Sequence, residues 1–249
     1  MLPLKKNSLI IGENTLMNKK FISIHQPNYL PWAGYFFKIL KSDTFVFLDD
    51  VQVSKQSFFN RVKVSQNNSE TWLTVPSKIN LGLKINEVTV SQNDWKNRHK
   101  SKLYNCYKET LYFKTIWKLI EELYDLESTS NVSYNNQIFI KFICNLLNIE
   151  TKFLNSSKLS LDTNKTSDDK LIDIVKISNS KDYLSGIGGL KYQDISKFDK
   201  NNICLVYIKN LHKKYNNNYN TFFNGLSIID LLFNLGQTGT IQYLEDNFI

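Results

Sequence analysis

The stretch ISIHQPNYLPWAGYFFKILKSDTFVFLDD, residues 22–50, decides the fold of this 249-residue chain. Apolar and polar residues alternate up to Pro27, which predicts a strand over 20–27. Residues 33–42 then place apolar side chains at helical spacing, and the continuous apolar run 44–50 ends in two acids, as is typical of a buried central strand. Strand, helix and strand in about 30 residues predict a βαβ unit with parallel strands.

The rest of the chain predicts further strands around a largely helical middle section. Two strand-like runs flank the turn-forming SQNNSE and predict a hairpin. The predicted strands lie at 56–64, 71–77, 84–91 and 152–159, at the start of 181–194, and at 202–210. The predicted helices lie at 94–110, 111–127, 135–149, 166–180 and 226–236, the last with Gly236 as its C-terminal stop. We therefore expect an α/β protein with a mostly parallel central sheet.

Length and composition allow one large domain or two small ones, and we expect a single domain over residues 17–249. The chain is 42% hydrophobic and 13% aromatic, which is enough for a packed core. Residues 1–16 make a poor signal peptide, because their apolar run is short and Glu13 follows it. Met17 opens a natural first strand, so we expect residues 1–16 to be an N-terminal extension that is disordered or not native.

The cysteines and the apolar runs predict a cytoplasmic protein. Cys106, Cys144 and Cys204 stand far apart and form no CxxC pair, which argues against disulfides and zinc and favours a reducing compartment. No run approaches the roughly 20 apolar residues of a membrane helix, so no membrane span is expected. Motifs such as H-E-x-x-H are absent, and no metal is expected.

The net charge is compatible with a small anionic partner. The formal net charge is +8, but only Arg61 and Arg98 are arginines among 31 basic residues. The lysines are scattered singly, as on a solvated surface, so we do not expect nucleic-acid binding. Anionic small molecules such as nucleotides remain compatible with this charge.

The loop after the first strand is the strongest candidate for a catalytic site. In open α/β sheets, ligands bind outside the carboxyl ends of the strands, and His25 and Gln26 lie at such an end. Asp49 and Asp50 end the neighbouring strand. An imidazole beside carboxylates can perform acid–base chemistry, so His25, Asp49 and Asp50 are the predicted catalytic residues. The alternative is a packed Pro-Trp turn in which His25 bonds to the backbone.

Two further segments are candidates for substrate binding. Arg61, beside Asn60, offers a planar fork for phosphate or carboxylate; a surface ion pair is the alternative. Ser185 and Gly186 open a glycine-rich loop whose backbone could wrap a phosphate or sugar. Its spacing fits neither a P-loop nor the dinucleotide fingerprint. A plain turn is the alternative unless this strand lies beside the first one.

Six segments carry a family resemblance. HQPNYLPWAGYFFKI, SDTFVFLDDVQ, FFNRVKV, WLTVPS, DYLSGIGGLKY and LSIIDLLFNLG occur in this order. Together they resemble the WbqC-like protein family over about residues 18–236. Members lie in bacterial gene clusters for O-antigen, the lipopolysaccharide side chain, and for other surface polysaccharides. The resemblance implies a transferase that modifies a nucleotide-linked sugar or amino sugar.

The resemblance assigns no residue a role, but its matching positions complete our list of candidates. The predicted substrate-binding residues are Gln26, Tyr29, Trp32, Asn60, Arg61, Ser185, Gly186 and Tyr192. The opening architecture also resembles nucleotidyltransferase-like folds, although HQPNYLPW lacks their second histidine. An ATP-dependent acid-activating enzyme and a non-catalytic binding protein of a polysaccharide assembly complex are therefore the alternatives. The sequence assigns no cofactor and no oligomeric state.

Overall fold

A parallel sheet forms the centre of the protein. The computed structural model describes residues 9–10, 21–54, 57–80, 82–127, 129–162, 164–211, 213–215 and 223–248. The strands are β1 (Leu9–Ile10), β2 (Phe21–His25), β3 (Thr44–Phe47), β4 (Arg61–Gln66), β5 (Ser69–Thr74), β6 (Ser77–Lys78), β7 (Thr89–Val90), β8 (Lys152–Asn155), β9 (Asp182–Gly186) and β10 (Cys204–Ile208). Six of them form one sheet in the order β1-β10-β9-β2-β3-β8, with every described pairing parallel. The predicted α/β class and parallel sheet are confirmed.

Helices cover both faces of this sheet. They are α1 (Ala33–Leu40), α2 (Trp95–Tyr107), α3 (Phe113–Asp125), α4 (Val132–Leu146), α5 (Ser167–Ile177), α6 (Ile195–Lys200) and α7 (Ile228–Asn247). The larger core cluster joins one face of the sheet to α1, α7 and the helical middle section. A smaller cluster packs α5 and α6 on strands β2, β9 and β10, through residues such as Ile172, Val175 and Phe198.

Strands β2 and β9 meet at a topological switch point. From β2 the chain passes through α1 to β3, whereas from β9 it passes through α6 to β10, in the opposite direction along the sheet. Ligands of open α/β sheets bind at such a point. Here β2 and β9 pair only at Phe21–Asp182 and Ile22–Tyr183. Beyond that, Ser23 Oγ donates to Leu184 O at 3.0 Å. The strands therefore separate towards their carboxyl ends and leave room between them.

Several predicted elements have wrong bounds. The predicted strand 56–64 begins only at Arg61. The predicted strand 84–91 is a 3₁₀ turn, Ile85–Glu87, followed by the two-residue strand β7. Helix α7 does not stop at Gly236 but continues to Asn247 through a kink there. Gly236 has a φ of +68°, and a Cβ on it would lie 2.8 Å from the ring of Tyr112. The glycine therefore permits a close contact inside a longer helix instead of ending it.

The structure tests only part of the predictions for the N-terminal residues, the cysteines, a membrane span and a metal site. Of residues 1–16, only Leu9 and Ile10 lie within the described residues, where they pair with Val206 and Tyr207 of β10; the single-domain boundary at residue 17 stays a prediction. The three cysteines form no disulfide bond. Within the described ranges, no helix is both long and apolar enough to cross a membrane. In the same part of the chain, no three His, Cys, Asp or Glu side chains group as metal ligands would.

Candidate functional site

A cavity of about 800 Å³ opens where β2 and β9 separate, and we call it the main cavity. Its size is in the range of small-molecule sites. His25 of β2, Lys38 of α1 and Ser185 of β9 contribute to its lining, together with the glycine-rich loop and Lys209 after β10. Among the described residues that line it, none is an aspartate or glutamate. The main cavity therefore favours an anionic ligand.

His25 enters the main cavity as a neutral imidazole. Its Nδ1–H donates to the backbone oxygen of Gln26 at 3.1 Å, which leaves Nε2 with its lone pair. The rings of Trp32 and Tyr35 lie edge-on to it, with centroids 5.8 and 4.8 Å away. Burial, reinforced by the charge of Lys38, lowers the pKa of His25 to about 3. Nε2 can thus accept a hydrogen bond, but it does not hold a proton near neutral pH.

Lys38 is the residue that sequence reasoning missed. Its side chain lines the main cavity although the residue is only 3% exposed. Its amine lies 5.8 Å from the ring centroid of Tyr35 and, among the described residues, has no ion-pair partner. Burial lowers its pKa to about 7. The available signal was a lysine inside the apolar run AGYFFKIL, one helical turn after Gly34 and therefore on the same face.

The glycines of the site permit close approach. A Cβ on Gly34 would lie 3.0 Å from the ring of Phe248 and 3.1 Å from Trp32 Nε1, so this position keeps α1 tight against the carboxyl-terminal segment. A Cβ on Gly189 would collide with the side chain of Gln193, which accepts a hydrogen bond from Ser185. At Gly186 a Cβ would meet nothing within 4 Å, so its backbone borders open space.

A second cavity of about 460 Å³ lies at the N-terminal end of α5, and we call it the second cavity. It shares His25, Ile24, Tyr183 and Tyr192 with the main cavity. Its remaining lining residues are Gln26, Leu48, Val51, Gln52, Ser167, Asp168, Lys170 and Leu171. The two cavities thus adjoin at the switch point, with His25 contributing to both.

Comparison with known proteins agrees with this arrangement of motifs. The model of the WbqC-like protein family matches residues 26–242. The chain belongs to the WbqC-like protein family. The uncharacterized protein Rv1507c of Mycobacterium tuberculosis (strain ATCC 25618 / H37Rv) is 30% identical over 220 residues, covering 87% of this chain and 94% of that protein. No solved structure matches the chain.

In this WbqC-like protein the two cavities bring together six of the residues predicted from sequence. They are His25, Gln26, Trp32, Ser185, Gly186 and Tyr192. The glycine-rich loop was a candidate on condition that its strand lies beside the first one, and β9 does pair with β2. Functional roles for these residues stay predictions.

The two acids predicted beside His25 are engaged elsewhere. Asp49 is buried and accepts hydrogen bonds from Asn155, Ser156 and Ser157, so it anchors the 3₁₀ turn after β8. Asp50 forms an ion pair with Lys170 at 2.7 Å. Burial alone would raise the pKa of Asp50, but hydrogen bonds from Lys170 and Ser156 lower it below its ordinary value. Neither acid lines the two cavities.

Asn60 and Arg61 also lie away from both cavities. Asn60 Nδ2 donates to Val75 O at 3.1 Å and so ties the start of β4 to the end of β5. The guanidinium of Arg61 stacks over Trp72, 4.4 Å from its ring centroid. Arg61 is the first residue of β4, at the open end of the hairpin. It lines neither cavity, so the phosphate contact predicted for it does not belong to the site at the switch point.

Tyr29 belongs to a buried hydrogen-bond network. Its hydroxyl lies 2.8 Å from His99 Nδ1 and also contacts the hydroxyl of Tyr124. His99 Nε2 donates to Thr74 O at 3.1 Å, so Nδ1 accepts from Tyr29. Burial outweighs the bond to Thr74 and lowers the pKa of His99 to about 4. This network joins the opening loop to α2 and α3.

We expect acid to destabilise the protein through His99. The pKa of His99 is about 6.5 in the unfolded chain and about 4 in the native protein. Between these pH values the unfolded chain binds a proton that the native protein does not, so stability falls as the pH drops through this window. At pH 5 the loss is about 2 kcal/mol. Urea unfolding at pH 7 and pH 5 measures it: His99→Gln should lose about 2 kcal/mol less than the wild type between the two pH values. Equal losses in both proteins would contradict this account.

Proposed function

We propose that this WbqC-like protein is a group transferase that modifies a nucleotide-linked amino sugar for a bacterial surface polysaccharide such as O-antigen. The observation that carries the proposal is the main cavity, which lies at the switch point of a parallel sheet and is lined by Lys38 and Lys209 and, as far as the structure describes the chain, by no acid. Family membership supports the polysaccharide context.

The electrostatics of Lys38 favour a phosphate-bearing ligand. A buried ammonium ion without a counter-ion is costly, so the amine gives up its proton more readily than in water. A phosphate group in the main cavity would supply the missing counter-ion and restore that proton. A nucleoside diphosphate sugar carries such a group, and its base has a flat face suited to the rings of Trp32 and Tyr192, which also line the cavity.

His25 and Lys38 divide the chemistry that a transfer reaction needs. A general acid or base works best when its pKa lies near the operating pH. In the free protein Lys38 meets this condition with a pKa of about 7, whereas His25, at about 3, does not. A bound phosphate raises the pKa of Lys38 again, so in the complex we assign Lys38 to neutralising the phosphate charge. His25, whose Nδ1–H is fixed by Gln26, orients the substrate through a hydrogen bond accepted at Nε2.

A ligand panel tests the proposal. We expect at least one of the common UDP-, GDP- and dTDP-linked sugars to raise the melting temperature of the wild type. Lys38→Met should abolish this shift, whereas Lys41→Met, a change of the same kind at the end of the same helix, should keep it. The affinity should fall about tenfold for each pH unit above 7, because the bound phosphate needs a protonated Lys38.

Two outcomes would contradict the proposal. One is the absence of any shift across the panel of nucleotides and nucleotide-linked sugars, which would favour a non-catalytic binding protein. The other is release of pyrophosphate from ATP in the presence of a carboxylic acid, which would favour the acid-activating alternative.

A further inference from the structure

The second cavity contains an unpaired buried carboxylate. Asp168 lies in the first turn of α5 and is only 5% exposed. Its Oδ2 accepts a hydrogen bond from Asp194 N at 2.8 Å, but its Oδ1 is buried without any hydrogen-bond partner. Its neighbour Asp169 is exposed and pairs with Lys197. Only the first of these two acids contributes to the lining of the second cavity.

A second orphan atom lies nearby. Tyr207 Oη is also buried without a hydrogen-bond partner. Burial and then the charge of Asp168 raise the pKa of this phenol to about 12, so Tyr207 stays neutral and lies within range of the Asp168 charge. Native proteins rarely leave buried polar atoms without a hydrogen-bond partner, so an unpartnered atom at a cavity indicates a place for a ligand group. Asp168 Oδ1 is a negatively charged acceptor, and the strongest hydrogen bond that it can accept comes from a cationic donor.

We infer that the second cavity is the sugar subsite of the enzyme and that Asp168 binds the protonated amine of an amino sugar. This inference rests on the proposed function, in which the phosphates of the same substrate lie against Lys38 in the main cavity. The charges of the two cavities match such a ligand. Among the described lining residues, the main cavity has lysines and no acid. In the second cavity Lys170 is neutralised by Asp50, whereas Asp168 keeps one oxygen without a hydrogen-bond partner.

The shared wall supports one ligand that spans both cavities. Ile24, His25, Tyr183 and Tyr192 line both of them, so the cavities adjoin along the gap between β2 and β9. Gln26 and Gln52 add amide groups to the second cavity for sugar hydroxyls. Tyr192 is 70% exposed and stands at the rim of both.

Binding of free monosaccharides tests the sugar subsite without the nucleotide. Glucosamine, at a pH where its amine is protonated, and glucose are titrated into the full-length protein and followed by saturation-transfer NMR. We expect glucosamine to bind the wild type at least tenfold more tightly than glucose. Asp168→Asn, which keeps an oxygen for Asp194 N, should abolish this preference. Asp169→Asn is the matched control on the same helical turn and should keep it.

The variants also separate this inference from the proposed function. Lys38→Met should weaken the binding of nucleotide-linked sugars and leave the binding of free glucosamine unchanged. Asp168→Asn should weaken the binding of glucosamine and leave the binding of UDP, the nucleotide probe, unchanged. If no nucleotide binds but the glucosamine preference depends on Asp168, the proposed function fails and the amine site stands. Equal binding of glucose and glucosamine, no binding of glucosamine by the wild type, or a preference that survives Asp168→Asn would overturn the inference.

A blocking variant covers the case in which Asp168→Asn does not fold. Gln52 is exposed at the edge of the second cavity, so Gln52→Trp can fill the entrance without entering the core. It should abolish glucosamine binding and leave UDP binding intact. Glucosamine binding that persists in this variant would place the sugar elsewhere and overturn the inference.

Discussion

Lys38→Met is expected to stabilise the protein by about 2–4 kcal/mol at pH 7 while abolishing nucleotide binding. The lysine is buried among apolar atoms, and its pKa falls from 10.5 to about 7. Each pKa unit corresponds to about 1.4 kcal/mol, and the side chain of methionine is similar in length but needs no hydration. Urea unfolding gives the stability, and the thermal-shift panel gives the binding.

The pH dependence identifies the cause of this stabilisation. Between pH 7 and 10.5 the unfolded chain binds a proton that native Lys38 does not, so wild-type stability rises with pH across this window. The Lys38→Met protein lacks this rise, and its advantage should shrink towards pH 10.5. Lys41→Met should change stability by less than about 0.5 kcal/mol at either pH. A Lys38→Met protein that is less stable than the wild type at pH 7 would contradict the burial argument.

Asp49→Ala is expected to cost about 3–5 kcal/mol of stability. The buried carboxylate accepts charge-assisted hydrogen bonds from three side chains and one backbone N–H at the end of β8 and just after it, with distances of 2.8 Å from Asn155 Nδ2 and 2.9 Å from Ser157 N. Removing it takes the acceptor away from the buried hydroxyl of Ser156 and the half-buried amide of Asn155 and leaves a void where the carboxylate was, whereas the exposed Ser157 can turn to water. Urea unfolding measures the loss.

Asp50→Ala is the matched control for this prediction. Asp50 sits next in sequence, but its ion pair with Lys170 is partly exposed, with side-chain exposures of 20% and 14%. Exposed pairs contribute at most about 1 kcal/mol, and for this partly buried pair we expect a loss of about 1–2 kcal/mol, still below that for Asp49. An Asp49→Ala protein of wild-type stability that binds its ligand but turns nothing over would return Asp49 to the catalytic role that its position in the sequence suggests.

Local patterns predicted the elements of the fold, whereas the site depends on which strands become neighbours. The βαβ unit 22–50 follows from periodicity within one short stretch. The pairing of β2 with β9 joins residues about 160 positions apart, and no local pattern contains it. The sequence could therefore name His25 and Ser185 as separate candidates, but only the fold places them in one cavity.

The two acids and the arginine predicted for the site lie outside it for a related reason. Asp49 does end the strand next to β2, but its carboxylate is taken up by residues that follow β8, more than 100 positions later. Arg61 lies on a hairpin whose direction relative to the sheet is set by packing and not by its own sequence. Lys38 could have been found, because a lysine flanked by Phe37 and Ile39 contradicts the pattern of its helix.

The contact of Phe248 with the first helix constrains when the main cavity is completed during synthesis. Its ring stacks on Phe37, with centroids 5.1 Å apart, and it forms one wall of the main cavity. The ribosome thus makes His25 and Lys38 more than 200 residues before the residue that encloses them. Until that ring packs against α1, the amine of Lys38 stays hydrated and keeps an ordinary pKa. Its lowered pKa is therefore acquired late, when translation has passed residue 248 and this segment has docked.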